Sequence, residues 1–126
     1  MGFLEIPEFR LRSEGVMFKY LVFEARQSNQ LKRIVRALNY APYVGDIEEQ
    51  LFSWIREELE VFDFFVTGGT LDARGGGTFA LNPYYETVTL FGTSETYGVE
   101  SNRETVTKIL KRAFPEYEVT WFEAEA

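Results

Sequence analysis

Two stretches of the chain carry apolar residues at helical spacing, and each begins with a capping pattern. Asp46 and Ser101 both stand three residues before a glutamate, an arrangement that satisfies backbone N–H groups in the first turn of a helix. One apolar stripe contains Ile47, Leu51, Trp54, Ile55 and Leu59, and the other contains Val106, Ile109, Leu110 and Ala113. The pattern predicts helices near residues 47–60 and 102–114.

Other apolar stretches have the short, β-branched and aromatic character of strands. Residues 16–25 form the most apolar of these runs, and residues 8–12 alternate well enough to be its partner strand. Residues 86–91 alternate threonine with Val88 and Leu90, which is typical of a strand with one solvent-facing side. A final strand is predicted at residues 118–122.

Two regions are ambiguous from their pattern alone. Leu31, Ile34, Val35 and Leu38 have helical spacing, although a short apolar run of this kind also fits a buried strand. Between residues 62 and 81, two apolar runs flank TGGTLDARGGG, which predicts either a hairpin or one long, kinked strand with glycines at special backbone angles.

Composition narrows the class of protein. The chain has 126 residues, 45% of them hydrophobic and 17% aromatic, which predicts one globular domain over residues 1–126. Thirteen basic against twenty acidic residues give a net charge of −7, which argues against nucleic-acid or anionic-membrane partners. Neither a secretory signal nor a membrane-spanning run is visible, so a soluble cytoplasmic protein is predicted.

The chain contains neither cysteine nor histidine. Thiol nucleophiles, disulfides and thiolate metal sites are therefore excluded, and a carboxylate-only metal site is not expected, so no metal and no cofactor are predicted. The glycine run at residues 75–77 is most simply a bulge or a place of close backbone packing. FGTSETYG (91–98) says more, because a hydroxyl-rich turn between a strand and a helix can direct N–H groups toward an anion, although an ordinary polar connection fits the same residues equally well.

Five blocks of sequence, in this order, resemble the signature blocks of the Janus/Ocnus family. They are GVMFKYLVF (15–23), IVRALNYAPYVGDI (34–47), RGGGTF (74–79), LFGTSETYG (90–98) and FPEYEVTW (114–121). The resemblance implies an α+β domain in which a mixed sheet of about six strands packs with two helices, and it makes residues 31–38 a strand. It also implies phosphohistidine phosphatase chemistry, since the best-known members of the family have that activity.

The resemblance carries over a phosphate site. Lys19 matches the family's phosphate-contacting lysine, and Ser94 and Thr96 match positions whose backbone and hydroxyl groups face the phosphoryl group. Glu95 lies between them in the same turn, and Gly77 belongs to the glycine triplet that the family also places at the site.

The chain departs from the family pattern at two positions. Val44 stands where the family has its general-base histidine, and Thr78 stands where the pattern GGGR has an arginine. Arg74 is a candidate to replace that guanidinium. Asp46 and Glu95 are the candidate carboxylates to replace the base, but Asp46 is expected to cap a helix and Glu95 would repel a phosphate dianion.

Three functions follow from this mixture of retained and lost residues. The first is a protein that binds phosphate, a phosphorylated side chain or a phosphorylated small molecule with little or no phosphatase activity. The second is a protein histidine phosphatase that uses a carboxylate or a substrate-assisted route. The third is a protein-interaction module with a vestigial pocket. The missing histidine favours the first and third, and Lys19 with the 94–96 segment favours the first.

Overall fold

The computed structural model describes residues 2–12, 14–39, 46–94, 96–98, 100 and 103–122. In chain order the elements are a 3₁₀ turn, two helices and six strands. The turn spans Phe3–Glu5, and the helices are α1 (Ile47–Glu60) and α2 (Arg103–Ala113). The strands are β1 (Phe9–Arg12), β2 (Met17–Gln27), β3 (Gln30–Asn39), β4 (Thr70–Asn82), β5 (Thr87–Phe91) and β6 (Glu118–Trp121).

The six strands form one mixed sheet in the order β1-β3-β2-β4-β5-β6. The central pairings of β2 with β3 and β4, and of β4 with β5, are antiparallel, whereas β1 and β6 join the two edges in parallel. This mixed sheet with two helices confirms the predicted α+β fold.

The two helices pack on opposite faces of the sheet because β2 and β3 are apolar on both sides. Leu21, Phe23 and Ile34 share one core with α1, and Phe18, Tyr20 and Val35 share the other with α2. Side chains alternate between the faces of a strand, so Lys19 lies on the α1 face. All five predicted apolar positions of α1 are buried, whereas Ala113 of α2 is exposed.

Several strand predictions need correction or are now decided. Residues 31–38 lie in a strand, so their helical spacing does not produce a helix. Residues 8–12 do form a strand, but its predicted pairing with residues 16–25 is wrong, because β3 and β4 already occupy both edges of β2 and β1 therefore pairs with β3.

The glycine-rich region forms the long, kinked strand and not the hairpin. Residues 61–68 are turns, and β4 then runs without a break to Asn82. The kink is a β-bulge, since Val22 pairs with Gly75 and Phe23 with Ala73, which leaves Arg74 as the extra residue.

Candidate functional site

Lys19 lies near the middle of the sheet and faces the first turn of α1. It pairs across the strands with Thr78 of β4, so both side chains are on the α1 face. The Lys19 side chain is only 12% exposed, and its Nζ lies 3.5 Å from Oε2 of Glu48. A lysine this enclosed and paired with a carboxylate is part of a defined polar cluster.

Glu48 is held in place by the start of α1. The Asp46 carboxylate accepts a hydrogen bond of 3.0 Å from the Glu49 N–H, which fixes the first turn as the capping pattern predicts. With Ile47 and Leu51 turned toward the core, Glu48 lies at the edge of the buried stripe, and its side chain is 8% exposed. The helix therefore points a carboxylate at the sheet beside Lys19.

The turn that follows β5 supplies further contacts to Glu48. The Thr96 N–H donates to Glu48 Oε1 at 3.2 Å, and the hydroxyls of Ser94 and Thr96 also hydrogen-bond to this carboxylate. We refer to Lys19, Glu48, Ser94 and Thr96 as the Glu48 cluster. Burial tends to raise the pKa of Glu48, but the hydrogen bonds from Ser94 and Thr96 and the charge on Lys19 keep that pKa below its ordinary value.

The 94–98 turn is itself closed by backbone hydrogen bonds. The Ser94 N–H donates to the Gly98 carbonyl at 3.2 Å and the Gly98 N–H to the Ser94 carbonyl at 3.0 Å, while the Ser94 hydroxyl accepts from the Tyr97 N–H. Gly98 has φ of +73°, a left-handed conformation that favours glycine. The Gly98 carbonyl also accepts from the Gly76 N–H at 2.9 Å, which attaches the turn to β4.

Beside the Glu48 cluster, an open cleft of about 350 Å³ separates α1 from the 94–98 turn. It is lined by Asp46, Glu48, Glu49, Phe52, Ser53, Thr96 and Tyr97. Three of these side chains are acidic, so the cleft itself is a poor environment for an anion. Asp46 lines the cleft while its carboxylate caps α1.

Gly77 and Arg74 do not join the cluster. Gly77 pairs with Tyr20, which faces α2, and a Cβ atom on Gly77 would lie 2.7 Å from Nη2 of Arg103. The glycine is thus required by close packing on the α2 side. Arg74 is half exposed, and its Nε donates to Glu24 Oε1 at 3.1 Å, on the face opposite Lys19. The remaining predicted site residues, Val44 and Glu95, lie outside the described residues.

A second polar network, which the sequence did not suggest, lies beneath the site on the α2 face. The Tyr20 hydroxyl donates to Glu100 at 2.7 Å, and Arg103 Nη2 donates to Glu100 at 3.0 Å and to the carbonyls of Gly92 and Gly76. Burial, followed by the Glu100 charge, raises the pKa of Tyr20. Arg103 thereby connects Gly92, which follows β5 and leads to the 94–98 turn, with Gly76 inside β4, and this makes the network a support for the site.

Glu48 is the cluster member that sequence reasoning missed. An acidic residue in the first turn of a helix suits the helix dipole, which is reason enough for Glu48 without any further role. A usable signal was present, since Glu48 precedes Leu51 by three residues and Ile55 by seven, positions that share one side of a helix. A carboxylate on that side is aimed at the sheet.

Across the part of the chain that the structure describes, no group of three or more His, Cys, Asp or Glu side chains could hold a metal ion. Within the same residues, neither helix has the length and apolar character needed to cross a membrane.

Comparison with known proteins confirms the family resemblance. The chain is 27% identical over 123 residues to the human protein named 14 kDa phosphohistidine phosphatase, covering 92% of this chain and 90% of that one. The Janus/Ocnus family (Ocnus) matches residues 3–118, nearly the whole of the chain. The chain therefore belongs to the Janus/Ocnus family.

Proposed function

We propose that this protein binds a phosphorylated ligand at Lys19 and the 94–98 turn and hydrolyses it slowly or not at all. The observation that carries the proposal is the Glu48 cluster, in which a lysine, two hydroxyls and a backbone N–H already surround an anionic group. Ammonium, hydroxyl and oriented N–H groups are also the donors that proteins use for phosphate. The name of the human relative supports phosphohistidine as the first ligand to test.

The expected weakness of catalysis rests on the missing base. By the family resemblance Val44 occupies the base position, and an aliphatic side chain cannot accept a proton. Glu48 is the carboxylate beside Lys19, but its pKa is lowered, whereas an efficient general base has a pKa near the working pH. Thr78 faces the same side as Lys19 without the positive charge of an arginine, so charge stabilisation of a transferring phosphoryl group is also reduced.

One observation favours a second candidate, an interaction module with a vestigial pocket. Glu48 already uses the donors of the cluster, so the protein has a stable state in which no external anion is needed. A carboxylate-dependent phosphatase has less support because of the lowered Glu48 pKa. The single domain over residues 1–126 and the cytoplasmic location remain parts of the proposal, as does a ligand that is not a nucleic acid.

Phosphate binding is tested by a titration followed through backbone amide shifts. We expect shifts concentrated at Lys19, Thr78 and residues 94–98, and we expect Lys19→Gln to weaken binding by about tenfold through loss of one charge. Lys108→Gln is the matched control, because Lys108 is exposed on α2. Absence of shifts with millimolar phosphate and with phosphohistidine alike would leave the interaction module as the better candidate.

Catalysis is tested with phosphohistidine and an aryl phosphate, using the human phosphohistidine phosphatase as the positive control. The unmodified protein should be far slower than that enzyme. Val44→His should recover part of the rate, on the order of 10-fold or more, which is the lower range for a positioned base. Turnover by the unmodified protein at the rate of the human enzyme would contradict the proposal.

A further inference from the structure

We propose that Glu48 is a specificity-determining residue, an internal anion that an incoming phosphoryl group must displace from Lys19 and the 94–98 turn. The inference rests on the proposed function, since it concerns which ligands the same site accepts. It predicts that free inorganic phosphate binds weakly, and that the preferred ligand is a phosphorylated group on a larger molecule with further contacts of its own.

The contacts of the Glu48 carboxylate reach two separate parts of the chain. Oε2 faces Lys19 of β2 at 3.5 Å, and Oε1 accepts from the Thr96 N–H at 3.2 Å. The Ser94 and Thr96 hydroxyls add hydrogen bonds to the same carboxylate. Every one of these donors suits a phosphoryl oxygen equally well, so Glu48 and a phosphoryl group compete for the same positions.

Simultaneous occupation is unfavourable. A carboxylate and a phosphate dianion within about 4 Å of each other repel strongly at a site shielded from water, and Lys19 supplies a single positive charge for both. The neighbouring Asp46 and Glu49 carboxyls line the adjoining cleft and add to the negative charge. Binding of a phosphoryl group therefore requires the Glu48 side chain to leave.

The structure provides room for that movement. Glu48 and Thr96 both line the open cleft of about 350 Å³ between α1 and the turn. Rotation of the Glu48 side chain into this space needs no movement of α1, whose first turn stays fixed by the Asp46 cap. Glu48 loses its hydrogen bonds in this exchange. A ligand that makes no contacts beyond those of its phosphate group therefore binds weakly.

The test compares phosphate affinity in two matched variants. Glu48→Gln removes the competing charge and keeps the side-chain shape, and we expect it to bind inorganic phosphate about tenfold or more tightly than the unmodified protein. Glu60→Gln removes the same charge from the same helix, but its exposed side chain lies at the other end of α1, so the expected change is within about twofold. Adding Lys19→Gln to Glu48→Gln should abolish the gain.

The direction of the change separates competition from a merely structural role. If Glu48 only held the turn in shape, Glu48→Gln would loosen residues 94–98 and weaken phosphate binding. An unchanged or weaker affinity in Glu48→Gln, with phosphate still bound by the unmodified protein, would overturn this inference and leave the proposed function standing. Phosphate binding by Glu48→Gln alone would support the role of Glu48 as a competing anion and contradict phosphate binding by the natural chain. Phosphate binding by neither protein would overturn both this inference and the proposed function.

A measurement on the unmodified protein covers the case in which the variant does not fold. With ¹³C-labelled glutamate, saturating phosphate should shift the Glu48 side-chain carboxyl signal and leave that of Glu58 unchanged. Phosphate-induced amide shifts at Thr96 without any change in the Glu48 carboxyl signal would contradict displacement.

Discussion

Helix α1 carries two glutamates that reach the sheet, and they are held in different ways. Near its C-terminal end, Glu58 receives both Nε and Nη2 of Arg36, at 2.7 and 3.0 Å, and also Nη1 of Arg10. Near its N-terminal end, Glu48 meets Lys19 through one contact of 3.5 Å. Arg36 is completely buried, and Lys19 is 12% exposed, whereas both glutamates border an open cleft.

The difference shows which of the two ion pairs can serve a ligand. A guanidinium fork with two parallel hydrogen bonds fixes its carboxylate in one orientation, and replacing that carboxylate would strand a buried charge. Burial lowers the pKa of Arg36, with the Glu58 hydrogen bond opposing this effect, and an arginine remains charged throughout. A lysine is a point charge that accepts a new partner readily, so the N-terminal pair is the exchangeable one.

The largest expected effect concerns the fixed pair. Glu58→Ala leaves the buried Arg36 guanidinium without its partner, and we expect a loss of about 3 kcal/mol in the free energy of unfolding, measured by urea denaturation. Glu57→Ala, an exposed change one residue away, should stay within about 0.5 kcal/mol. A loss of less than about 1 kcal/mol in Glu58→Ala would remove the contrast between the two pairs.

A smaller effect is expected when the cation is changed and its charge is kept. Arg36→Lys replaces the fork with a point charge, which should cost about 2 kcal/mol through one lost hydrogen bond and poorer filling of the buried space beside Trp54. In the reciprocal change, Lys19→Arg, the new guanidinium should bind the Glu48 carboxylate more strongly and so reduce the affinity for phosphate. Equal stability of Arg36→Lys and the natural protein would show that fork geometry is unimportant at this site.

The smallest effect is the acid dependence of the exchangeable pair. The lowered pKa of Glu48 means that its contribution to stability is complete above the ordinary value of 4.5 and is lost as the pH falls through the folded-state pKa. The free energy of unfolding, measured with urea, should therefore fall more steeply below about pH 4.5 for the natural protein than for Glu48→Gln. The pair formed by Glu8 and Arg112 also lowers a carboxyl pKa, but it is common to both proteins and cancels in the comparison. If the free energy of unfolding fell equally with pH in both proteins, the contacts of the Glu48 carboxylate would contribute nothing to stability.

Local signals were sufficient for much of the fold. The Asp46 cap and the apolar stripe behind it define α1 because capping and helical spacing both depend on residues that are close together in the sequence. Residues 31–38 could not be assigned by spacing, since β3 is buried on both faces and loses the simple alternation of a half-exposed strand. The position of β1 depends on which strand edges are free, a property of the complete sheet.

The site was only partly accessible to sequence reasoning. Lys19, Ser94 and Thr96 were identified by resemblance, and the structure brings all three to Glu48. Arg74 adjoins the glycine triplet in the sequence, but the bulge makes it the extra residue of β4, and its side chain pairs with Glu24. Which face a residue takes beyond a bulge depends on the strand register, and that register is set by pairing with β2, far away in the sequence.

The strand order also determines when such a site can first exist during folding. β2 and β3 meet through a short turn between Gln27 and Gln30, so their pairing closes a minimal loop. β2 and β4 pair from Arg26↔Thr70 to Met17↔Ala80, across a separation that contains β3 and the whole of α1. Closing that long loop is the entropically demanding step, and folding dominated by such distant pairs runs on the order of milliseconds to seconds. Lys19 reaches Thr78 only once the loop between β2 and β4 is closed. The rate at which phosphate binding recovers after dilution from urea would therefore measure how fast the central sheet is completed.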